Sequence, residues 1–235
     1  MPPLILLTND DGIDAAGIQA LESALPETWE CHVVAPTSVM SQCGHRVTTD
    51  EPLRVHARGE NRHAVEGTPA DCVRLALTHL LPRQPDWVLS GINEGGNLGA
   101  DIYVSGTVAA VREGAFLGVP GIALSHFKKR GFDFDWAWAA RCAWEALEEL
   151  LTVQLGRGEH WNINLPHVSA NDVPPDRVHC EPSQHPLPVS FQPSTPEGDV
   201  REFLYDGDYP NRLREQGSDI EICFGGRISI SKLSL

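Results

Sequence analysis

Short apolar runs alternate with segments of helical period through the first 166 residues. Leu4 to Leu7 is apolar at every position, the pattern of a strand buried on both faces. Ile18, Leu21 and Leu25 then recur at helical spacing, and Pro26 ends that helix. "CHVVAP", Cys31 to Pro36, is a second buried strand. Strand, helix and strand joined by short loops predict a βαβ unit and a parallel sheet.

Residues 37–66 interrupt the alternation, and "LRVHARGENRHAV" within them reads as a hairpin or loop insertion. "GTPADCVRLALTHLL" is a helix with Thr68 as N-cap, Pro69 in its first turn and an apolar face of Val73, Leu77 and Leu80. "DWVLS", Asp86 to Ser90, is the next strand, and a glycine-rich loop runs on to Val104. A helix near 107–117, a strand at 121–125 and a long helix over about 135–151 follow. The inner side of the long helix is Trp138, Ala139, Cys142, Leu147 and Leu150. "HWNIN", ending at Asn164, is expected to close the regular sheet. Beyond Pro166 prolines cluster, and "REFLY", "IEICF" and "RISISKL" read as short strands. The expected division is a core over 1–166 and a β-rich extension over 167–235.

Composition narrows the partners. Lys and Arg number 18 against 32 Asp and Glu, a formal charge of −14, which argues against a nucleic-acid polymer or an anionic membrane. A local site for a small anion is still compatible with that total. The opening "MPPLILL" has no basic flank of the signal-peptide kind, and no apolar run reaches the ~20 residues of a membrane span. Six scattered cysteines without a C-x-x-C pair fit free thiols in a reducing compartment, so a cytoplasmic location is expected.

Ligands of parallel sheets bind beyond the carboxyl ends of the strands. That rule selects Asn9-Asp10-Asp11-Gly12, Ser38 to Gly44, Ser90-Gly91-Ile92-Asn93 and the loop Gly95 to Thr107. Two carboxylates, a serine hydroxyl and an asparagine amide oxygen are hard donors that suit Mg²⁺ or Mn²⁺. Such a cation would cancel the repulsion between Asp10 and Asp11. The plainer reading of Asp10-Asp11-Gly12 is a turn with one aspartate capping the next helix. Ser105-Gly106-Thr107 opens a helix, where free amides and the helix dipole favour a phosphate, although an ordinary cap has the same look. "GTPAD" is explained by capping. The D-x-D of Asp133 and Asp135 follows no buried strand and reads as a solvated helix start. His45, near Ser41, is the one histidine of interest, and a lone histidine is more often a hydrogen-bonded structural residue.

Four stretches in order carry a resemblance: "ILLTNDDGIDAAGIQAL", "VVAPTSVMSQCGHRVT", "VEGTPADCVRLAL" and "PDWVLSGINEGGNLGADIYVSGTVAAVREGAFLGVPGIALS". Together they resemble the SurE family of stationary-phase survival proteins, densely over the first 125 or so residues. "NINLP" and "GRISISKL" give weaker support. The resemblance implies a Rossmann-like α/β three-layer sandwich, one divalent cation per subunit, and 5′- or 3′-nucleotidase activity on nucleoside monophosphates. By position it puts the metal ligands on Asp10, Asp11, Ser41 and Asn93, and the phosphate contacts on Asn97, Ser105, Gly106 and Thr107 with Asn9 nearby. It also implies a homodimer or homotetramer, with C-terminal segments in the contacts. Two features depart from the family pattern. Gln42 follows Ser41 where glycine is usual, with Val39-Met40 rather than a basic residue before it, and the chain stops at Leu235, where a further helix commonly follows.

The expected chemistry is phosphomonoester hydrolysis, with Asp10 and Asp11 as catalytic residues and Asp10 positioning or deprotonating the attacking group. The alternatives are a non-catalytic nucleotide-binding protein and a phosphatase of other small phosphoesters or short polyphosphate.

Overall fold

The computed structural model describes residues 1–235 except 130, 132, 169–172, 195–199 and 208, together with the side chain of 210. Strand β1 (Leu4–Thr8) lies at the centre of a nine-stranded sheet and is buried at all its positions. Parallel to it on one side run β2 (Glu30–Pro36) and then β4 (Arg62–Val65). On the other side come β5 (Trp87–Glu94), β6 (Gly121–His126) and β7 (His160–Leu165), all parallel. The chain therefore leaves β1 in one direction and returns to its other flank, which makes the β1/β5 junction a topological switch point.

Alternation along β1 sorts the two helical layers. Ile5 and Leu7 pack with Ile18 and Leu21 of α1 (Ala16–Ala24) and with Trp138, Ala139, Cys142, Leu147 and Leu150 of α4 (Trp136–Leu150). Leu6 faces the other way, toward Val73 of α2 (Pro69–Leu75) and Val108 and Val111 of α3 (Gly106–Phe116). This is the expected three-layer sandwich. The inner face foreseen for α4 is the buried one, and Asp135 caps that helix through the Trp138 amide.

The 37–66 region contributes β3 (Val55–Ala57), which forms an antiparallel hairpin with β4 at the sheet edge. In α2 the Thr68 and Asp71 side chains close a reciprocal capping box, and Leu77 and Leu80 are only half-buried because the helix widens into a π-turn over Ala76–Leu80. Three expectations need correction. The strand begun at Trp87 does not stop at Ser90; it continues through Gly91, Ile92 and Asn93 to Glu94, with a register shift between Ser90 and Asn93. β7 does not close the sheet, since β11 (Ile228–Leu233) pairs antiparallel with it and β8 (Arg177–His179) follows β11. "IEICF" is part of a helix, α5 (Asp219–Phe224), because Ser218 caps it, Asp219 and Glu221 sit in its positive first turn, and Ile220 and Cys223 fall on one face. Strands β9 (Phe191–Ser194) and β10 (Glu202–Tyr205) form a separate exposed hairpin.

Candidate active site

The turn after β1 is held by Asn9, not by the aspartates. The Asn9 amide donates to the Gly12 carbonyl (2.8 Å) and its oxygen accepts from the Gly12 amide (3.2 Å). Gly12 sits at φ +100°, a backbone that side chains avoid. Neither aspartate caps α1, whose N-cap is Ala15 without a side-chain bond. The plain turn-and-cap reading therefore accounts for Asn9 and Gly12 but leaves both carboxylates for other work.

Asp10 is buried, and one carboxylate oxygen accepts from the Thr107 hydroxyl at 2.6 Å. Burial pushes its pKa up to about 6; the Thr107 bond works against this and the neighbouring Asp11 charge adds to it. Asp11 is also raised, mainly by burial, and its Oδ2 accepts from the Glu94 amide at 2.9 Å. The Asp10 and Thr107 backbone amides also hold the Asp10 carboxyl, while Asp11 Oδ1 accepts no hydrogen bond among the described residues. Asn93 donates its amide to the Gly95 carbonyl at 2.7 Å, and its amide oxygen has no hydrogen-bond partner among the described residues. Two carboxylates, a hydroxyl and an amide oxygen fit a hard divalent cation. Among the described residues no cluster of three His, Cys, Asp or Glu offers a softer alternative.

Asp10, Ser41, Asn93, Asn97 and Ser105 line one cleft of about 670 Å³. Asp11, Asn9, Gly106 and Thr107 are not among the residues that line it. Ser105 caps α3 through the Val108 amide (3.0 Å), so the cap reading holds there too. The Gly106 and Thr107 amides belong to the first turn, which has no intrahelical acceptors. Asn97 is more tightly held than its place in a glycine-rich loop suggests. Its amide nitrogen donates to Ser125 (2.8 Å) and Thr107 (3.3 Å), and its backbone is gripped by Asn162 and Asn164. The sequence signal for that grip was available: two asparagines at i and i+2 on one face of a buried strand need buried partners.

A Cβ added to Gly106 would lie 2.9 Å from the Asp10 Cβ and 3.1 Å from the Cys43 sulfur. Gly106→Ala should push Asp10 off the Thr107 hydroxyl and lower kcat at least tenfold while the protein stays folded. Steady-state kinetics beside a thermal melt checks this.

His45 bonds Glu113 at 2.7 Å and rests on Phe116, and Arg74 holds the other Glu113 oxygen at 2.7 Å. His45 is thus a tie between the Ser41 loop and α3. Sequence patterns did not point to Glu94, Lys128, Leu187, Tyr205 or Tyr209, which complete the cleft lining from distant segments.

The fold and the cleft define a Rossmann-like α/β protein with an oxygen-rich site at the switch point of its sheet, beside a helix N-terminus. The profile of the survival protein SurE family matches residues 5–183. The chain is 50% identical to a Synechocystis sp. (strain PCC 6803) protein named as a candidate 5′-nucleotidase, over 97% of this chain and 98% of that one. It is 39% identical to the 5′/3′-nucleotidase SurE of Proteus mirabilis, covering 97% of this chain and 89% of the relative. The crystal structure of the SurE protein from Aquifex aeolicus superposes with a TM-score of 0.88 at 31% identity, over 99% of this chain and 93% of that one. The chain belongs to the SurE family.

Proposed function

We propose that this protein hydrolyses nucleoside monophosphates to nucleoside and phosphate. The observation that carries the reading is the buried Asp10 carboxylate, tied to Thr107 at the N-terminus of α3 and lining the cleft. Asp10, Asp11, Ser41 and Asn93 would hold one divalent cation, Mg²⁺ or Mn²⁺. When bound, the cation supplies Lewis-acid stabilisation of phosphoryl charge. The Gly106 and Thr107 amides, with the α3 dipole, favour the phosphoryl oxygens at the end of that helix. Asn97 fixes Thr107, and Thr107 fixes Asp10. Asp10 positions or deprotonates the attacking group.

The same chain suits a homo-oligomer. The β9–β10 hairpin exposes Phe191, Phe203, Leu204 and Tyr205, apolar surface that a second copy would cover. No helix among the described residues is long and apolar enough to cross a membrane. All six cysteines are unpaired, which suits a reducing cytoplasm.

The test is phosphate release from a panel of nucleoside monophosphates with Mg²⁺ or Mn²⁺, then with EDTA. Release that EDTA abolishes is expected. Folded protein that binds a nucleotide and releases no phosphate with either metal would leave the non-catalytic binding reading.

A further inference from the structure

The segment that brings Ser41 to the cleft is stitched at both ends. The Met40 amide donates to the Asp10 carbonyl at 2.7 Å, and the Gly44 amide donates to the Val104 carbonyl at 3.0 Å. Gln42 lies midway between these anchors, so its backbone bridges the turn that carries Asp10 and the turn that opens α3. It does so at φ +57°, in the left-handed region. A glutamine gains nothing locally from that conformation, because its amide is one methylene too far for the turn bonds that asparagine makes there.

Strain of this kind persists where the surrounding structure imposes it, and it clusters at ligand sites. The side chain is exposed, lines the cleft and has no hydrogen-bond partner among the described residues. The cleft also has a charge problem. Its lining carries three carboxylates, Asp10, Glu94 and Asp101, of which Glu94 is paired with Lys128 and Asp101 with the buried Arg212, so both nearby cations are already engaged. A phosphate ester entering there needs donors, and an uncharged carboxamide supplies two N–H groups without desolvating another charge.

We infer that Gln42 is a substrate-binding residue whose side-chain amide donates to the phosphate group of the substrate, held there by a left-handed backbone between the Asp10 and Val104 anchors. This deepens the phosphomonoesterase reading and rests on it.

The experiment compares wild type with Gln42→Gly, Gln42→Ala and Gln42→Glu, using AMP and ribose 5-phosphate as substrates and inorganic phosphate as product inhibitor. Gln42→Gly and Gln42→Ala should each raise KM about tenfold for both substrates, and raise Ki for phosphate similarly, with kcat within about threefold of wild type. Gln42→Glu should weaken binding more than either, because a carboxylate in place of the amide repels the phosphate. Gln42→Gly, which suits the left-handed backbone, should melt no lower than wild type, so lost affinity in it is not lost fold. Three results overturn the inference: unchanged KM in both truncations, a rise in Gln42→Gly alone, which would make the effect one of backbone, or a rise for AMP without one for ribose 5-phosphate, which would put the amide on the nucleoside. A wild type that turns over neither substrate would remove the phosphomonoesterase reading and this inference together. Wild-type turnover with unaffected variants would remove the inference alone.

Discussion

Asp10→Asn should lower kcat by about 10³- to 10⁴-fold and leave the fold intact. Asparagine keeps the size of the side chain and an oxygen that can accept from Thr107, so the 2.6 Å contact has a replacement. What is lost is the charge and the basicity of the carboxylate. The same change removes a buried carboxylate that repels Asp11 and whose pKa already stands near 6. In metal-free protein at pH 8 the variant should therefore melt at or above the wild-type temperature. The sign follows from linkage: with a carboxylate whose native pKa is raised, the fold loses stability as pH climbs from the unfolded value of 3.8 to the native value of about 6, the cost is full at pH 8, and asparagine has no such cost. Kinetics with a differential scanning melt at pH 8 separates the cases. Near-normal kcat would refute the role given to Asp10, and a large fall in melting temperature would mean that the residue is structural.

The largest effect on stability should come from Arg212→Ala. Arg212 is buried and donates to Asp101 at 2.6 Å and to the Leu98 carbonyl at 3.2 Å, and its guanidinium lies over the Tyr209 ring. Removing it leaves the buried Asp101 side chain with the Tyr209 hydroxyl as its one side-chain donor among the described residues. Breaking one side of a buried pair costs about 3–5 kcal/mol, which for a domain of this size lowers the melting temperature by roughly 10 °C. The double change Arg212→Ala with Asp101→Asn should recover part of that loss, since no buried charge is then stranded. Recovery of nothing would place the cost in packing. Leu98 and Asp101 belong to the loop that carries Asn97 and Ser105, so activity at permissive temperature should fall as well.

The central half of the fold was legible because its signals are local. Leu4 to Leu7, Cys31 to Pro36, the Thr68–Asp71 cap and the inner face of α4 each follow from a period or a cap within a few residues. The candidate oxygen donors were picked out by the convergence of strand ends in a parallel sheet: Asp10 and Asp11 follow β1 directly, whereas Asn93 lies inside β5. What escaped is long-range. "IEICF" has strand-like composition, and only Ser218 and the acidic first turn reveal the helix. That "RISISKL" adds to β7 rather than standing apart depends on pairing across more than sixty residues, which periodicity cannot express. The Asp101–Arg212 pair and the Tyr209 contact join segments more than a hundred residues apart. The backbone of Gln42 is set by two amides anchored elsewhere, and nothing in "SVMSQCGHR" announces it.

The place of β11 has a consequence for synthesis of the chain. β7 finds its parallel partner β6 within about forty residues, but its other edge stays open until Ile228–Leu233 has been made. A nascent chain that has passed Leu165 therefore carries a nearly complete parallel sheet with one bare edge strand that the finished fold buries at every position. Such an edge is a template for pairing with another chain. The interval between translation of β7 and β11 is then the stage at which this protein is most exposed to aggregation and most in need of a chaperone. Once β11 pairs, it fills that edge, and the short β8 lies outside it.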